Sequence, residues 1–255
     1  MQPIQVLVCD LDHTLLREDS SLSDYTADVL ARCRERDIRF VIATARPMRT
    51  LREFVRIPYD AAVYLGGAAV ESGEVEIVRH TIAYETVENL LALFQTECPD
   101  ALISLEMEDA TYVDFSPEKA DSFSGFVTRP FGERPRRAAD KIIFSDATER
   151  GLRAIEAALP EALYLHTDAF GLSFIMHRRA TKLCGLTELL AQWGIPLSRC
   201  AAFGDDLADV EMLEASGIGV AVQNATEAAK KAADEICASN EQDGVAHWLE
   251  EKLLQ

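Results

Sequence analysis

An apolar run that ends in two aspartates is the feature that most constrains this sequence. Residues 4–9 (IQVLVC) carry no charge, and Asp10 and Asp12 follow at once in DLDHT. A continuous run of aliphatic residues is typical of a strand buried on both faces of a parallel sheet. Because carboxylates are seldom buried without a partner, a pair of them at the end of such a strand predicts a ligand site.

Strand and helix patterns alternate in both terminal parts of the chain. Apolar strands are predicted within 38–43 and 61–70, helices are predicted after Ser23 and Pro47, and the alternation resumes at Thr181. Aliphatic strands separated by helices are typical of a parallel sheet covered on both faces. We therefore expect an α/β fold whose core is a Rossmann-like, doubly wound parallel sheet.

The middle of the chain has a different pattern. Five strand patterns (ALISLEME, TYVDF, DKIIFS, ALYLH and GLSFIMH) accompany only two helices, near 86–97 and 148–159. Strands in pairs predict a mostly antiparallel sheet, and hence an inserted α+β domain. Segment 116–138 is polar and rich in Gly and Pro, which predicts a mobile connection. The predicted bounds are 82–178 for the insertion, and 1–81 with 179–255 for the core.

The acidic composition disfavours several classes of partner. The chain has 43 acidic and 25 basic side chains, and this formal net charge of -18 argues against nucleic acid and anionic membranes. It has no apolar run long enough to span a bilayer and begins without a signal-peptide pattern. Its six scattered cysteines form no CxxC pair and suit buried positions better than disulfides. We therefore expect a cytoplasmic protein, either a monomer or a small homo-oligomer.

Four groups of polar residues stand at predicted strand ends or helix starts, where open α/β sheets bind ligands. They are Asp10 with Asp12, Thr44 with Ala45 and Arg46, Lys182, and the acids Asp205, Asp206 and Asp209 after Gly204. One carboxylate can attack a phosphoryl group, while a second protonates the leaving oxygen. Paired acids also attract a hard cation such as Mg²⁺. A hydroxyl, backbone N–H groups and an ammonium suit phosphate oxygens.

Each group taken alone has a simpler interpretation. An aspartate after a strand is often a helix N-cap, and Thr44 could be an ordinary turn residue. Lys182 could be a solvated surface lysine, and the acids at 205–209 could merely match a helix dipole. The occurrence of all four groups, in this order along one chain, favours a common site.

The order of these motifs resembles that of the haloacid dehalogenase superfamily of phosphatases. The residues that carry the resemblance are Asp10, Asp12, Thr14, Thr44, Lys182, Gly204, Asp205 and Asp209. The long insertion between Thr44 and Lys182 is similar to the type 2 cap of the Cof-like branch, which includes many sugar-phosphate phosphatases. The C-terminal stretch AVQNATEAAKKAADEICASNEQDGVAHWL resembles the same branch over nearly thirty residues.

The resemblance implies a catalytic and a metal-binding role for the aspartates. Asp10 would attack phosphorus, and Asp12 would act as the general acid and base. Mg²⁺ would be held by the Asp10 carboxylate, the Asp12 backbone carbonyl and Asp205. Asp209 would support the metal site or position Lys182.

The resemblance also implies how the substrate is held. Thr44, Ala45 and Lys182 would bind the transferring phosphoryl group. Three further residues are possible substrate contacts: His13, Arg46 and Asn224. Asn224 has a second interpretation, because together with Glu227 it resembles a capping box for the following helix.

The expected function is Mg²⁺-dependent hydrolysis of small phosphomonoesters, sugar phosphates first, through an aspartyl-phosphate. The partner would be a small phosphorylated metabolite. The alternatives are a phosphomutase or other phosphotransferase, and a non-catalytic regulatory protein that binds a phospho-ligand. The sequence departs from the usual pattern of the branch at His13, Ala45, Gly66, Leu183 and Ala208. None of these departures removes a charged catalytic group.

Overall fold

The computed structural model of the chain describes residues 3–116, 127–167 and 171–255. The chain forms two compact units. The first comprises Met1–Arg79 and Ala180–Gln255, and the second comprises His80–Arg179. The second unit is thus an insertion in the sequence of the first.

Strands and helices alternate in both terminal parts of the chain, as the sequence predicts, but the sequence does not predict strands β5, β8 and β14. The strands are β1 (Val6–Cys9), β2 (Arg39–Ala43), β3 (Ala61–Tyr64), β4 (Ala69–Ser72), β5 (Val75–Arg79), β6 (Leu102–Glu106), β7 (Thr111–Val113), β8 (Thr128–Pro130), β9 (Lys141–Ser145), β10 (Leu163–Thr167), β11 (Ser173–His177), β12 (Cys200–Gly204), β13 (Ile218–Val222) and β14 (Glu235–Cys237). The α-helices are α1 (Asp24–Glu35), α2 (Met48–Phe54), α3 (Tyr84–Glu97), α4 (Glu149–Ala158), α5 (Lys182–Trp193), α6 (Val210–Ala215), α7 (Glu227–Ala232) and α8 (Gly244–Leu253).

The first unit is built on an eight-stranded sheet of order β14-β13-β12-β1-β2-β3-β4-β5. The six strands from β14 to β3 are parallel, and β4 and β5 add an antiparallel edge. Every residue of β1 is buried, as its aliphatic sequence predicts. Because β2 continues the sheet on one side of β1 and β12 on the other, the strand order reverses at β1. Open α/β sheets bind ligands at such a point.

The helix ends follow from local capping chemistry. The Ser23 side chain accepts the Thr26 backbone N–H and begins α1, and left-handed Gly194 ends α5, as the sequence predicts. The capping box predicted at Asn224 and Glu227 is wrong. Thr226 lies directly before α7, and its hydroxyl accepts the Ala229 backbone N–H. Asn224 therefore lies outside the helix, and its side chain is available for another contact.

The second unit is the predicted α+β structure. Its six-stranded sheet has the order β10-β11-β9-β6-β7-β8, antiparallel except where β7 pairs with β8. Helices α3 and α4 are the two that the sequence predicts there. Their apolar faces complete a core in which the Phe94 and Phe144 rings meet edge to face, with centroids 4.6 Å apart.

Part of the predicted mobile connection at 116–138 is structured. Residues 117–126 lie outside the described residues. The remainder contains β8 and a short helical turn at Phe131–Glu133, so these residues have regular structure where the sequence predicts a mobile connection. The parallel pairing of β8 with β7 forms this strand despite its polar, proline-containing sequence.

Among the described residues, no helix combines the length and the apolar character that crossing a membrane requires. All six cysteines are described, all are free thiols, and five of them are buried, as the sequence predicts.

Gly67 permits the close approach of two segments of the first unit. It has a φ of +102°, and a Cβ added there would overlap the Thr181 carbonyl, directly before α5. We expect Gly67→Ala to lower the free energy of unfolding by about 3 kcal/mol, because strain and overlap add. The matched control is Gly73→Ala, whose φ is +64° with no atom near the new Cβ. It should cost only about 1 kcal/mol. Urea denaturation measures both, and equal losses would contradict the role of the Thr181 contact.

Candidate active site

The polar residues that follow the central strands lie at one edge of the sheet. Asp10 directly follows β1, and its backbone N–H donates to the Phe203 carbonyl of β12 at 3.0 Å. Thr44 follows β2, and Asp205 follows β12. Because β2, β1 and β12 are parallel neighbours, their carboxyl ends, and hence these residues, share one edge.

Lys182 connects the chain segments of this edge. Its Nζ lies 2.7 Å from Asp10 Oδ1 and 2.6 Å from Asp209 Oδ1, and the side chain is only 4% exposed. Thr181 caps α5 by accepting the Cys184 backbone N–H, which places Lys182 in the first turn of the helix. The alternative of a solvated surface lysine is therefore wrong.

Asp209 is held by contacts to both of its carboxylate oxygens. Oδ1 accepts from Lys182, and Oδ2 accepts the backbone N–H groups of Asp205 at 3.1 Å and Asp206 at 3.2 Å. Gly204 allows this close packing, because a Cβ at that position would overlap the Asp209 side chain. Asp209 therefore fixes both Lys182 and the turn that carries Asp205.

Thr14 and Thr226 hold Asp205 from two sides. The Thr14 hydroxyl donates to Asp205 Oδ1 at 2.7 Å. The backbone N–H and the hydroxyl of Thr226 both donate to the Asp205 carbonyl, at 2.8 and 3.1 Å. The sequence places Thr14 in a motif, but its bond to a residue 191 positions away has no local signal.

The segment after Asp10 forms a turn over Leu11–Leu15, which the Leu16 backbone N–H closes by donating to the Leu11 carbonyl at 2.8 Å, and in which Asp12 and His13 have non-helical conformations. Leu11 is fully buried, as the sequence predicts, but the chain does not continue as a strand. His13 adopts a left-handed conformation with a φ of 57° and is exposed. The position of His13 beside a substrate stays a prediction.

Arg46 forms a bidentate ion pair with Asp12. Its Nε donates to Oδ2 at 2.8 Å, and its Nη2 donates to Oδ1 at 2.5 Å. The Arg46 backbone N–H also donates to the Thr44 hydroxyl at 3.1 Å. Thr44 therefore stabilises a local turn, as its interpretation as an ordinary turn residue predicts. Thr44 itself is fully buried, whereas Ala45 is exposed. Phosphate binding by Thr44 and Ala45 stays a prediction.

Asn224 and Asn240 hold the turn after Asp12. The Asn224 Nδ2 donates to the His13 carbonyl at 2.7 Å, and the Asn240 Nδ2 donates to the Leu16 carbonyl at 2.9 Å. The two asparagines are joined, because the Asn240 backbone N–H donates to Asn224 Oδ1 at 3.1 Å. The sequence gives no indication of a role for Asn240.

The buried cluster carries more negative than positive charge. Burial raises the pKa of Asp10 well above its ordinary value, and Asp209 and Asp205 add to this increase while Lys182 opposes it. Burial also raises the pKa of Asp205. Burial alone would lower the pKa of Lys182, but Asp10 and Asp209 outweigh it and hold that pKa above its usual value. One ammonium thus faces three carboxylates, and a further cation would relieve the excess charge.

The donor set of this cluster fits a hard divalent cation. Asp10, Asp205 and Asp209 each offer a carboxylate oxygen, and these atoms all lie within 4.8 Å of one another. Both oxygens of Asp209 already accept hydrogen bonds, which leaves Asp10 and Asp205 as the side chains best able to hold a metal. Carboxylate oxygens are the ligands that Mg²⁺ prefers.

Comparisons with known proteins agree with one another. A family model for haloacid dehalogenase-like hydrolases matches residues 7–249. The 5-amino-6-(5-phospho-D-ribitylamino)uracil phosphatase YitU of Bacillus subtilis is 25% identical, with 96% of each chain covered. The HMP-PP phosphatase of Escherichia coli O6:H1 is 31% identical, covering 85% of this chain and 83% of its own. The phosphatase BT1666 of Bacteroides thetaiotaomicron has the same fold, with a TM-score of 0.84, 24% identity, and 98% of this chain and 95% of its own covered.

Replacing Asp209 should destabilise the protein because the buried Lys182 ammonium loses one of its two carboxylate partners. Asp209→Asn keeps the shape but removes the charge next to Lys182, and we expect the free energy of unfolding to fall by about 3 kcal/mol. Glu211→Gln removes the same charge from an exposed residue two positions on, and it should change stability by less than about 0.5 kcal/mol. Urea denaturation compares the two variants. A loss for Asp209→Asn as small as that of the control would contradict the supporting role of Asp209.

Proposed function

The chain belongs to the haloacid dehalogenase-like hydrolases and is a phosphatase, and we propose that it hydrolyses small phosphomonoesters with Mg²⁺, through an aspartyl-phosphate on Asp10. The observation that carries this proposal is the buried Lys182 ammonium held between Asp10 and Asp209 at the end of β1. A fixed positive charge beside a buried carboxylate is what attack on an anionic phosphoryl group requires, because the two anions otherwise repel each other.

In the proposed first step, an Asp10 carboxylate oxygen attacks phosphorus. The bond between phosphorus and the ester oxygen breaks, and Asp12 gives its proton to that oxygen as it leaves. In the second step, water attacks the phosphorus of the aspartyl-phosphate and gives a proton to Asp12. The bond between phosphorus and Asp10 breaks, inorganic phosphate is released, and both aspartates return to their starting states.

The ion pair with Arg46 bears on the second step of the proposed reaction. Its bidentate geometry fixes the orientation of the Asp12 carboxylate, which is the form that accepts a proton from water. Arg46 is therefore proposed to orient Asp12, in addition to the substrate contact that the sequence suggests. Lys182, the hydroxyl of Thr44 and the backbone at Ala45 are proposed to bind the transferring phosphoryl group.

We propose that Asp10, Asp205 and the Asp12 backbone carbonyl hold Mg²⁺. When bound, the ion would neutralise charge on the phosphoryl oxygens and on the Asp10 carboxylate. Asp209 takes no direct part in this proposal, because its oxygens hold Lys182 and the turn at Asp205.

Sugar phosphates are the substrate class that we propose first. The relative YitU is named for a phosphorylated ribitylamino compound, and a second relative is named an HMP-PP phosphatase. Both names describe small phosphorylated metabolites. The insertion predicted at 82–178 is proposed to select among such substrates as a cap domain. We also propose a cytoplasmic location and a monomer or small homo-oligomer.

Phosphate release tests the activity directly. We expect the purified protein to release phosphate from p-nitrophenyl phosphate and from members of a sugar-phosphate panel when Mg²⁺ is present, and to lose this activity with excess chelator. Asp10→Asn should lower kcat at least about a thousandfold, because the nucleophile is lost. Glu35→Gln, at an exposed position in α1, is the matched control and should retain full activity.

The same assay separates the alternative functions. Transfer of phosphate to a second sugar without release would indicate a phosphotransferase. Binding of panel members without turnover would indicate a regulatory protein, an alternative that the departures Ala45 and Ala208 motivate. Activity that survives either Asp10→Asn or the chelator would contradict the proposed mechanism.

Metal binding can be tested without measuring activity. Mg²⁺ at about 100 times its dissociation constant should stabilise the protein by about 2.7 kcal/mol, which a thermal melt detects as a higher Tm. Asp205→Asn should abolish most of this increase, because it removes one of the two proposed side-chain ligands. The exposed Glu211→Gln is again the control. An equal Mg²⁺-dependent increase for Asp205→Asn and the control would contradict the assignment.

A further inference from the structure

The turn at Leu11–Leu15 has a conformational problem at its centre. It must present Asp12 towards Arg46 and, two residues later, Thr14 towards Asp205. His13, between them, adopts a φ of 57° and a ψ of 4°. Residues other than glycine rarely adopt this left-handed region, because Cβ then crowds the backbone. A contact from outside the turn can therefore stabilise this conformation.

Asn224 provides the contact that favours it. Its Nδ2 donates to the His13 carbonyl at 2.7 Å, and this carbonyl belongs to the peptide group that joins His13 to Thr14. A rotation of His13 into an ordinary conformation would turn the carbonyl away and break the bond. The bond therefore stabilises the left-handed state over the alternatives.

The orientation of the Asn224 amide is fixed from its other side. Its Oδ1 accepts the Asn240 backbone N–H, a group that can only donate. The amide nitrogen must then face His13. Asn240 is 4% exposed and holds the Leu16 carbonyl through its own side chain, so the support of Asn224 is itself anchored in the core.

We infer that Asn224 is a positioning residue for the phosphatase reaction: it holds His13 in the left-handed state and so aligns Asp12 and Thr14. This inference rests on the proposed function for its catalytic consequence, since Asp12 is the proposed general acid and base. It assigns Asn224 no contact with substrate. It also explains how the chain tolerates a histidine, with its Cβ, at a position whose backbone favours glycine.

Asn224→Asp is the sharpest test, because aspartate has the same shape and still accepts the Asn240 N–H. Its carboxylate cannot donate to the His13 carbonyl and repels it, whereas the bond from the Asn240 N–H is kept. We expect kcat for p-nitrophenyl phosphate to fall about tenfold with KM changed less than about twofold, because misalignment affects the chemical step. Gln223→Glu adds the same charge at the exposed neighbouring residue and should leave kcat unchanged.

Rescue by glycine separates positioning from a general loss of structure. Glycine adopts the left-handed region at little cost, so a His13→Gly background needs the Asn224 bond less. Asn224→Asp should then lower kcat less than about threefold in that background, compared with about tenfold in the native sequence. This comparison is independent of any contact that the His13 side chain makes with a substrate. An equal loss in both backgrounds, or no loss in the native sequence, would overturn the inference.

The native protein, Asn224→Asp, His13→Gly and the double variant also form a double-mutant cycle for stability, which does not depend on catalysis. In urea denaturation, Asn224→Asp should lower the unfolding midpoint more in the native sequence than in the His13→Gly background. If the native protein hydrolyses no member of the panel, the proposed function fails, and this cycle still decides whether Asn224 stabilises the left-handed His13. Equal midpoint changes in both backgrounds would overturn the inference even if the protein is an active phosphatase.

Discussion

The burial of Lys182 between Asp10 and Asp209 is the interaction on which the rest of the site depends. A buried ammonium requires anionic partners, and these two come from the end of β1 and from the turn after β12. The second carboxylate oxygen of Asp209 in turn accepts the backbone N–H of Asp205. The charge requirement of one lysine thus joins three distant segments into one polar cluster. The excess of carboxylates in the cluster is what makes it suitable for a metal.

The turn after β1 depends on a second kind of constraint. There the backbone conformation, rather than charge, determines where the side chains point. Asp12 and Thr14 reach different partners because left-handed His13 redirects the chain between them. An amide from the C-terminal part of the chain stabilises this geometry. Electrostatics therefore determines the position of Asp10, while hydrogen bonds to the backbone determine the orientation of its neighbours.

Much of the fold could be predicted because its signals are local. The parallel sheet follows from aliphatic runs such as β1, and the ends of α1 and α5 follow from Ser23 and Gly194. The cap at Thr226 was missed because Asn224 is an equally good capping residue by type. The pairs Asp12–Arg46 and Asn224–His13 could not be predicted from spacing, since each joins residues far apart in sequence. Strand β8 was missed because pairing, rather than its polar composition, makes it a strand.

The order of strands in the first sheet has a consequence for synthesis of the protein. Val6 of β1 pairs on one side with Arg39 of β2, and on the other with Cys200 of β12. During synthesis on the ribosome, one edge of β1 therefore has no partner strand until the whole second unit has been made. That unit has its own core and can fold meanwhile. The nascent chain thus passes through a stage in which one edge of β1 is unpaired, and an unpaired strand edge can pair with another chain and aggregate.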